Sequence, residues 1–300
     1  MKNPKQQTQP SEKPPLIFTA VFFVLVIAGI GVFAWSFFSF RLPSTSTSNP
    51  SEQASGSRLA QLEGDLHALV VGEDGSLYYG QHAGVQVSKD AGQTWSAATG
   101  GGDAMGMGVN SGKVFLAGHD FFAVSPDAGQ TWQKPGVGNL PGTDIHGFTV
   151  ASNGWLYANL AGGGLYRSTD GGKNWNLVTQ ATTRAYKIVA STGVPPVLYA
   201  LTQDQGLIRS SNGGITWKQI KVDVQPLTIA VETSGAILIS LPNSSILRSS
   251  DDGTTWSELK APETFILLAV NPKNSKNIYG ISDVGQVYAS FDAGQTWSGQ

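Results

Sequence analysis

The side chains best suited to chemistry in this sequence are four histidines, and they recur in phase. His67 and His146 hold the same place in DLHALVV (Asp65–Val71) and DIHGFTV (Asp144–Val150), and Met105 holds it in DAMGMGV (Asp103–Val109). His82 follows the apolar run SLYYGQ, and His119, itself followed by Asp120, closes the related run KVFLAG. Imidazole, thioether and carboxylate groups gathered in one place suit copper or another divalent ion. The same groups suit a polar or anionic ligand. The plainer alternative is that they are loop residues whose polar atoms bond to nearby backbone. On the metal reading the donors are His67, Met105 and His146. On the wider ligand reading the surface comprises His67, His82, Met105, His119, Asp120, Asp144 and His146, with Asp65 and Asp103 beside them.

Other chemistries are excluded or poorly supported. The 300 residues include no cysteine, so disulfides, thiolate metal sites and a cysteine nucleophile are absent. The net charge of −2 offers no basic surface for nucleic acid. No glycine-rich phosphate loop stands between a strand and a helix, since Ala161–Gly164 reads as a hairpin turn. No G-x-S-x-G elbow occurs.

A scaffold must bring phase-equivalent residues together, and internal repeats supply one. An octet recurs six times: SKDAGQTW (Ser88–Trp95), SPDAGQTW (Ser125–Trp132), STDGGKNW (Ser168–Trp175), SSNGGITW (Ser210–Trp217), SSDDGTTW (Ser249–Trp256) and SFDAGQTW (Ser290–Trp297). The tryptophans are spaced 37 to 43 residues apart. Between octets lie short β-type runs, such as HALVV, SLYYG, GVQVS and TWSAA. Four strands in about forty residues is the size of one propeller blade.

The octet resembles the Asp-box, or BNR repeat. That repeat occurs in sialidases, sortilin-type receptors, some glucan hydrolases and photosystem II assembly-factor-like propellers. The resemblance implies an all-β, six-bladed propeller of four-stranded blades over residues 59–300. Each box is then the hairpin between the third and fourth strands of a blade. Asp90, Asp127, Asp170, Asn212, Asp251 and Asp292 should cap the turn as Asx residues do. The fifth-position glycine supplies positive φ. Trp95, Trp132, Trp175, Trp217, Trp256 and Trp297 should dominate the core between blades. Calcium ligation by the aspartates is the weaker reading, because the turn itself uses the carboxylate. The ring is expected to close mainly by blade-to-blade packing, with no swapped strand needed, while Arg58–Glu63 is available to add to an edge.

In such a propeller the boxes lie on one end and the inner-strand entries and second-to-third-strand loops on the other. All four histidines then fall on the loop end, around the mouth of the central channel. The long segment Lys134–Asp144 joins the same rim. Enzyme signatures are weaker. A sialidase-like site needs converging arginines, but Arg167, Arg209 and Arg248 each precede a box serine and so belong to the repeat. Phe40–Pro43 matches the sialidase Phe-Arg-Ile-Pro motif only by coincidence of position.

Leu16–Phe40 contains no charged residue and is long enough for a membrane helix. Its aromatic end, with Trp35, Phe37, Phe38 and Phe40, suits an interfacial belt better than a signal-peptide cleavage site. Lys2, Lys5 and Lys13 place the N-terminus in the cytoplasm. The expected order is a cytoplasmic tail (1–15), a transmembrane helix (16–40), a Ser/Thr/Pro linker (41–58) and the propeller (59–300). The chain is accordingly expected in the cell membrane, single-pass, with the propeller outside. Its expected role is a scaffold that binds a protein, peptide or glycan, with a glycan-acting hydrolase as the alternative.

Overall fold

The computed structural model describes residues 59–182 and 184–299. They form six antiparallel meanders, each running from an inner strand outward in sequence order. The inner strands are Ala68–Val71, Gly106–Asn110, Ile145–Val150, Ala185–Ala190, Thr228–Val231 and Phe265–Asn271. Four sheets have four strands. In blades two and six the fourth position is held by single bridges, Val124 with Gln133 and Ala289 with Ser298. The result is an all-β, six-bladed β-propeller. Among the described residues no helix is long and apolar enough to cross a membrane. The expected tail, membrane helix and linker lie outside the described residues.

The core is divided into six apolar clusters, each wedged between two neighbouring blades. One joins Leu69 and Tyr79 of blade one to Leu267 and Ile281 of blade six, which closes the ring. Another joins Phe122 of blade two to Phe148 of blade three. Blades two and three approach so closely that a Cβ on Gly108 would lie 2.3 Å from a Val150 methyl carbon.

The tryptophans contribute less to this core than their size suggests. Each cluster has one box tryptophan against it, but only Trp175 is fully buried, at 2% exposure. Trp95, Trp132, Trp217, Trp256 and Trp297 are half-buried at the cluster margins. The interior is built instead from leucine, isoleucine and tyrosine on the inner two strands, with Tyr78, Tyr79, Tyr157 and Tyr199 among the largest buried side chains. Each tryptophan stands at or shortly before the start of the short outermost strand, where one side faces water.

Closure combines blade-to-blade packing with an added edge segment. The N-terminal segment of the domain pairs with the outer edge of blade six: the Leu62 N–H donates to Gly285 O at 2.8 Å and the Val287 N–H to Ala60 O at 3.2 Å. It takes over beyond Ser298, which pairs with Ala289 on that edge. Leu59 and Leu62 enter the blade-one/blade-six cluster. An open strand edge leaves backbone donors and acceptors unpaired, and this segment satisfies several of them.

The six boxes share one hydrogen-bond scheme. In the first, the Ser88 hydroxyl donates to Asp90 Oδ1 at 2.8 Å and accepts from the Gly92 N–H at 2.9 Å. The Thr94 N–H and hydroxyl donate to the two carboxylate oxygens of Asp90. These donors, the Thr94 hydroxyl foremost, hold Asp90 down to about 2. Asp127, Asp170, Asp251 and Asp292 are held likewise. Asn174 replaces the threonine by donating its amide to Asp170 at 2.7 Å. Asn212 accepts the Thr216 N–H and reverses the second bond, donating to the Thr216 hydroxyl. The fifth-position glycine has φ near +90°, as at Gly92 (+94°). The fourth position is left-handed too, at Ala91 (φ 61°) and Ala128 (φ 58°).

Candidate functional site

The register of the inner strands explains how the histidines reach one end. Ala68, Gly106, Gly147, Lys187, Thr228 and Leu267 are equivalent, each opposite the last or next-to-last residue of its second strand. One residue earlier stand His67, Met105, His146, Tyr186, Leu227 and Ile266. Register shifts between Ile145 and Gly147, between Ala185 and Lys187, and between Phe265 and Leu267 throw His146, Tyr186 and Ile266 out of the ladder. Such bulges re-aim a side chain at a sheet rim. His82 lies in the hairpin after Gln81, and His119 and Asp120 in the hairpin after Gly118.

The structure gathers these residues into two clusters. In the first, His67 Nε2 lies 3.1 Å from His82 Nδ1, and His82 Nδ1 lies 2.6 Å from Asp65 Oδ2. Asp103 stands behind both rings, with Oδ1 3.2 Å from His67 Nε2 and Oδ2 3.6 Å from His82 Nε2. In the second, Asp144 Oδ1 lies 3.0 Å from His146 Nε2 and 3.9 Å from His119 Nε2. The rings of His119 and His146 stack at 5.0 Å with 11° between planes. The clusters are neighbours, since His119 is near enough to act on His67 electrostatically. Burial lowers the His67 pKa, opposed by Asp103 and reinforced by His82.

The phase-equivalent trio is therefore shared out. His67 partners His82, His146 partners His119, and Met105 lines the axial cavity with His146. Asp120 turns away from the imidazoles, accepting the Thr143 hydroxyl at 2.9 Å while its N–H donates to Thr143 O. The Lys134–Asp144 segment is tied down: Asn139 accepts the Trp175 N–H and donates to Trp175 O, and Leu140 is buried.

The axial cavity holds about 340 Å³ and is walled by all six inner strands. Lys187 is the single charged residue in its phase, facing a wall that elsewhere offers Ala68, Gly106 and Gly147. Desolvation pushes its ammonium down to about 8. The lysine of YKIVA is the sequence signal for it, since the other repeats carry neutral residues there. None of the repeat arginines lines this cavity, although Glu232, the partner of Arg248, does. Arg167 lies over the Trp155 ring, Arg209 pairs with Asp252, and Arg248 binds the buried Glu232 through two hydrogen bonds.

Comparison with known proteins agrees with this architecture. The DUF6242 beta propeller domain matches residues 101–232, and the BNR/Asp-box repeat matches residues 86–97. No curated protein matches the chain. Among solved structures, YCF48 bound to D1 peptide is 20% identical with a TM-score of 0.54, over 84% of this chain and 87% of that one. The GH74 xyloglucanase of Xanthomonas campestris is 18% identical with a TM-score of 0.56, over 80% of this chain but only 46% of that one. A gluconolactonase, XC5397, from the same organism is 13% identical with a TM-score of 0.59, over 78% and 87%. At these identities the likeness shows the fold alone, and proteins of this fold include a peptide binder and enzymes. The chain is a six-bladed β-propeller built from BNR/Asp-box repeats.

Proposed function

We propose that this protein is a membrane-tethered binding module whose loop end docks a segment of another protein or a peptide outside the cytoplasm. The observation that carries the reading is the convergence of four histidines and three aspartates on one end, partly open to solvent, in two adjacent clusters. The opposite end spends its polar side chains on the Asp-box turns and on inter-blade pairs such as Arg209–Asp252. That YCF48 was solved with a peptide bound supports a propeller of this kind as a peptide receptor. The uncharged run Leu16–Phe40, with lysines before it, supports the tether and its orientation.

The test is site-specific photo-crosslinking in intact cells. A photoreactive residue at position 82 or 119 should capture one defined partner, and one at Gln93 or Gln130 on the box end should not. Capture only from the box end would contradict the reading. Turnover of fluorogenic glycosides that disappears in Asp103→Asn would replace it with a glycan-acting hydrolase.

A further inference from the structure

We propose that Asp65, His67 and His82 form a binding site for a divalent transition ion of the zinc type. Three ligand atoms already face one another. His67 Nε2 and His82 Nδ1 are 3.1 Å apart, and Asp65 Oδ2 is 2.6 Å from that Nδ1. All three lie within 4.8 Å of one another. Bonds of roughly 2.0–2.1 Å in a tetrahedral site separate ligand atoms by about 3.3 Å. The histidine edge is therefore near the required spacing, and the Asp65–His82 edge, at 2.6 Å, must open by less than an ångström. Two imidazoles and one carboxylate favour zinc and its neighbours over calcium or magnesium, which prefer oxygen.

The second observation concerns Asp103. Its Oδ1 is cut off from solvent and has no hydrogen-bond partner, although it faces His67 Nε2 at 3.2 Å. A buried carboxylate oxygen without a partner is costly, and a cation held by that nitrogen would compensate it. Its Oδ2 faces His82 Nε2, the nitrogen left over when Nδ1 binds the ion. A carboxylate behind a ligating histidine commonly fixes the ring and raises its basicity. Among the described residues no lysine or arginine pairs with Asp65 or Asp103, so two negative charges stand ready to balance a divalent ion. Three protein ligands leave a fourth position open for water or for an incoming carboxylate. The second cluster is looser, with 3.9 Å between His119 and Asp144, and among the described residues no further carboxylate pairs with its histidines.

This inference stands without the docking role. It is tested on the full-length protein with zinc and cobalt(II) as probes. Calorimetric titration with zinc should show one saturable event in the unmodified protein and in His119→Ala. In His82→Ala, whose exposed loop position leaves the fold intact, affinity should fall more than about tenfold. Cobalt should give the intense visible bands of a four-coordinate ion, and these should vanish in His82→Ala. Asp103→Asn should weaken the same event without abolishing it. Absence of a saturable event, equal affinity in His82→Ala, or loss in His119→Ala alone would each overturn the assignment. Equal melting temperatures of the metal-free variants would show that folding is not the cause.

Discussion

His67 and His82 are separated by 15 residues and meet with 3.1 Å between ring nitrogens, in a T-shaped pair whose centroids lie 4.6 Å apart. The contact arises because the inner strand of blade one begins beside the hairpin that links its second and third strands. Asp103 arrives from blade two, so the pair also measures how closely two blades are held.

The influence of Asp103 on that pair is measurable in metal-free protein. Asp103 raises the His67 pKa against the effect of burial. Asp103→Asn should therefore lower the His67 pKa further, as followed by NMR of the ring protons in the presence of a chelator. An unchanged or higher value would mean that the carboxylate does not face this ring in solution.

The Asp-boxes set the acid limit of the fold. Five aspartates are depressed from 3.8 to about 2 by their hydrogen bonds. A depressed folded-state pKa contributes stability above the ordinary carboxylate range, and that contribution is lost as pH falls through the folded value. Melting temperature should therefore decline between roughly pH 4 and pH 2. Asp127→Ala should lower it at neutral pH, and Asp127→Asn less, because Asn212 shows how an amide serves the same turn.

Lys187 predicts the opposite dependence. Its folded-state pKa of about 8 lies below the ordinary 10.5, so burial opposes folding while the amine is charged. That penalty is complete below pH 8 and fades as pH rises toward 10.5. Lys187→Met should raise the melting temperature at pH 7, and its advantage should shrink by pH 10. A destabilising effect at pH 7 would reveal a partner for the ammonium.

Ring closure depends on the N-terminal segment as well as on packing. Leu62 is buried in the blade-one/blade-six cluster. Leu62→Ala should cost about 2 kcal/mol in urea unfolding, within the range for buried leucine truncations. Gly285→Val should be worse, since Gly285 has φ +81° and a Cβ there would lie 2.0 Å from Leu62 O. Little effect from either would mean that the edge pairing is dispensable.

Much of this architecture was legible because the repeat is a local signal. Six octets in register locate the hairpins, and phase within the repeat sorts His67, His82, His119 and His146 to one end. Phase does not determine which ring meets which. His67 and His146 are equivalent, yet each pairs with the loop histidine of its own neighbourhood, because a bulge and a short hairpin set side-chain direction. Asp120 illustrates the same limit, since its backbone bond to Thr143 turns it outward. Tryptophan size suggested a tryptophan core, but position beside the outermost strand leaves five of the six half-exposed. The pairing of Ala60 and Leu62 with blade six joins residues more than two hundred positions apart; the sequence offered Arg58–Glu63 as an edge segment, but no local pattern names the strand it joins.

The most direct measurement is anomalous X-ray diffraction from crystals of the protein grown with zinc. A single strong peak is expected, bounded by Asp65 Oδ2, His67 Nε2 and His82 Nδ1 at the loop end of the propeller. A peak confined to other residues, or histidines found at opposite ends of the ring, would contradict it.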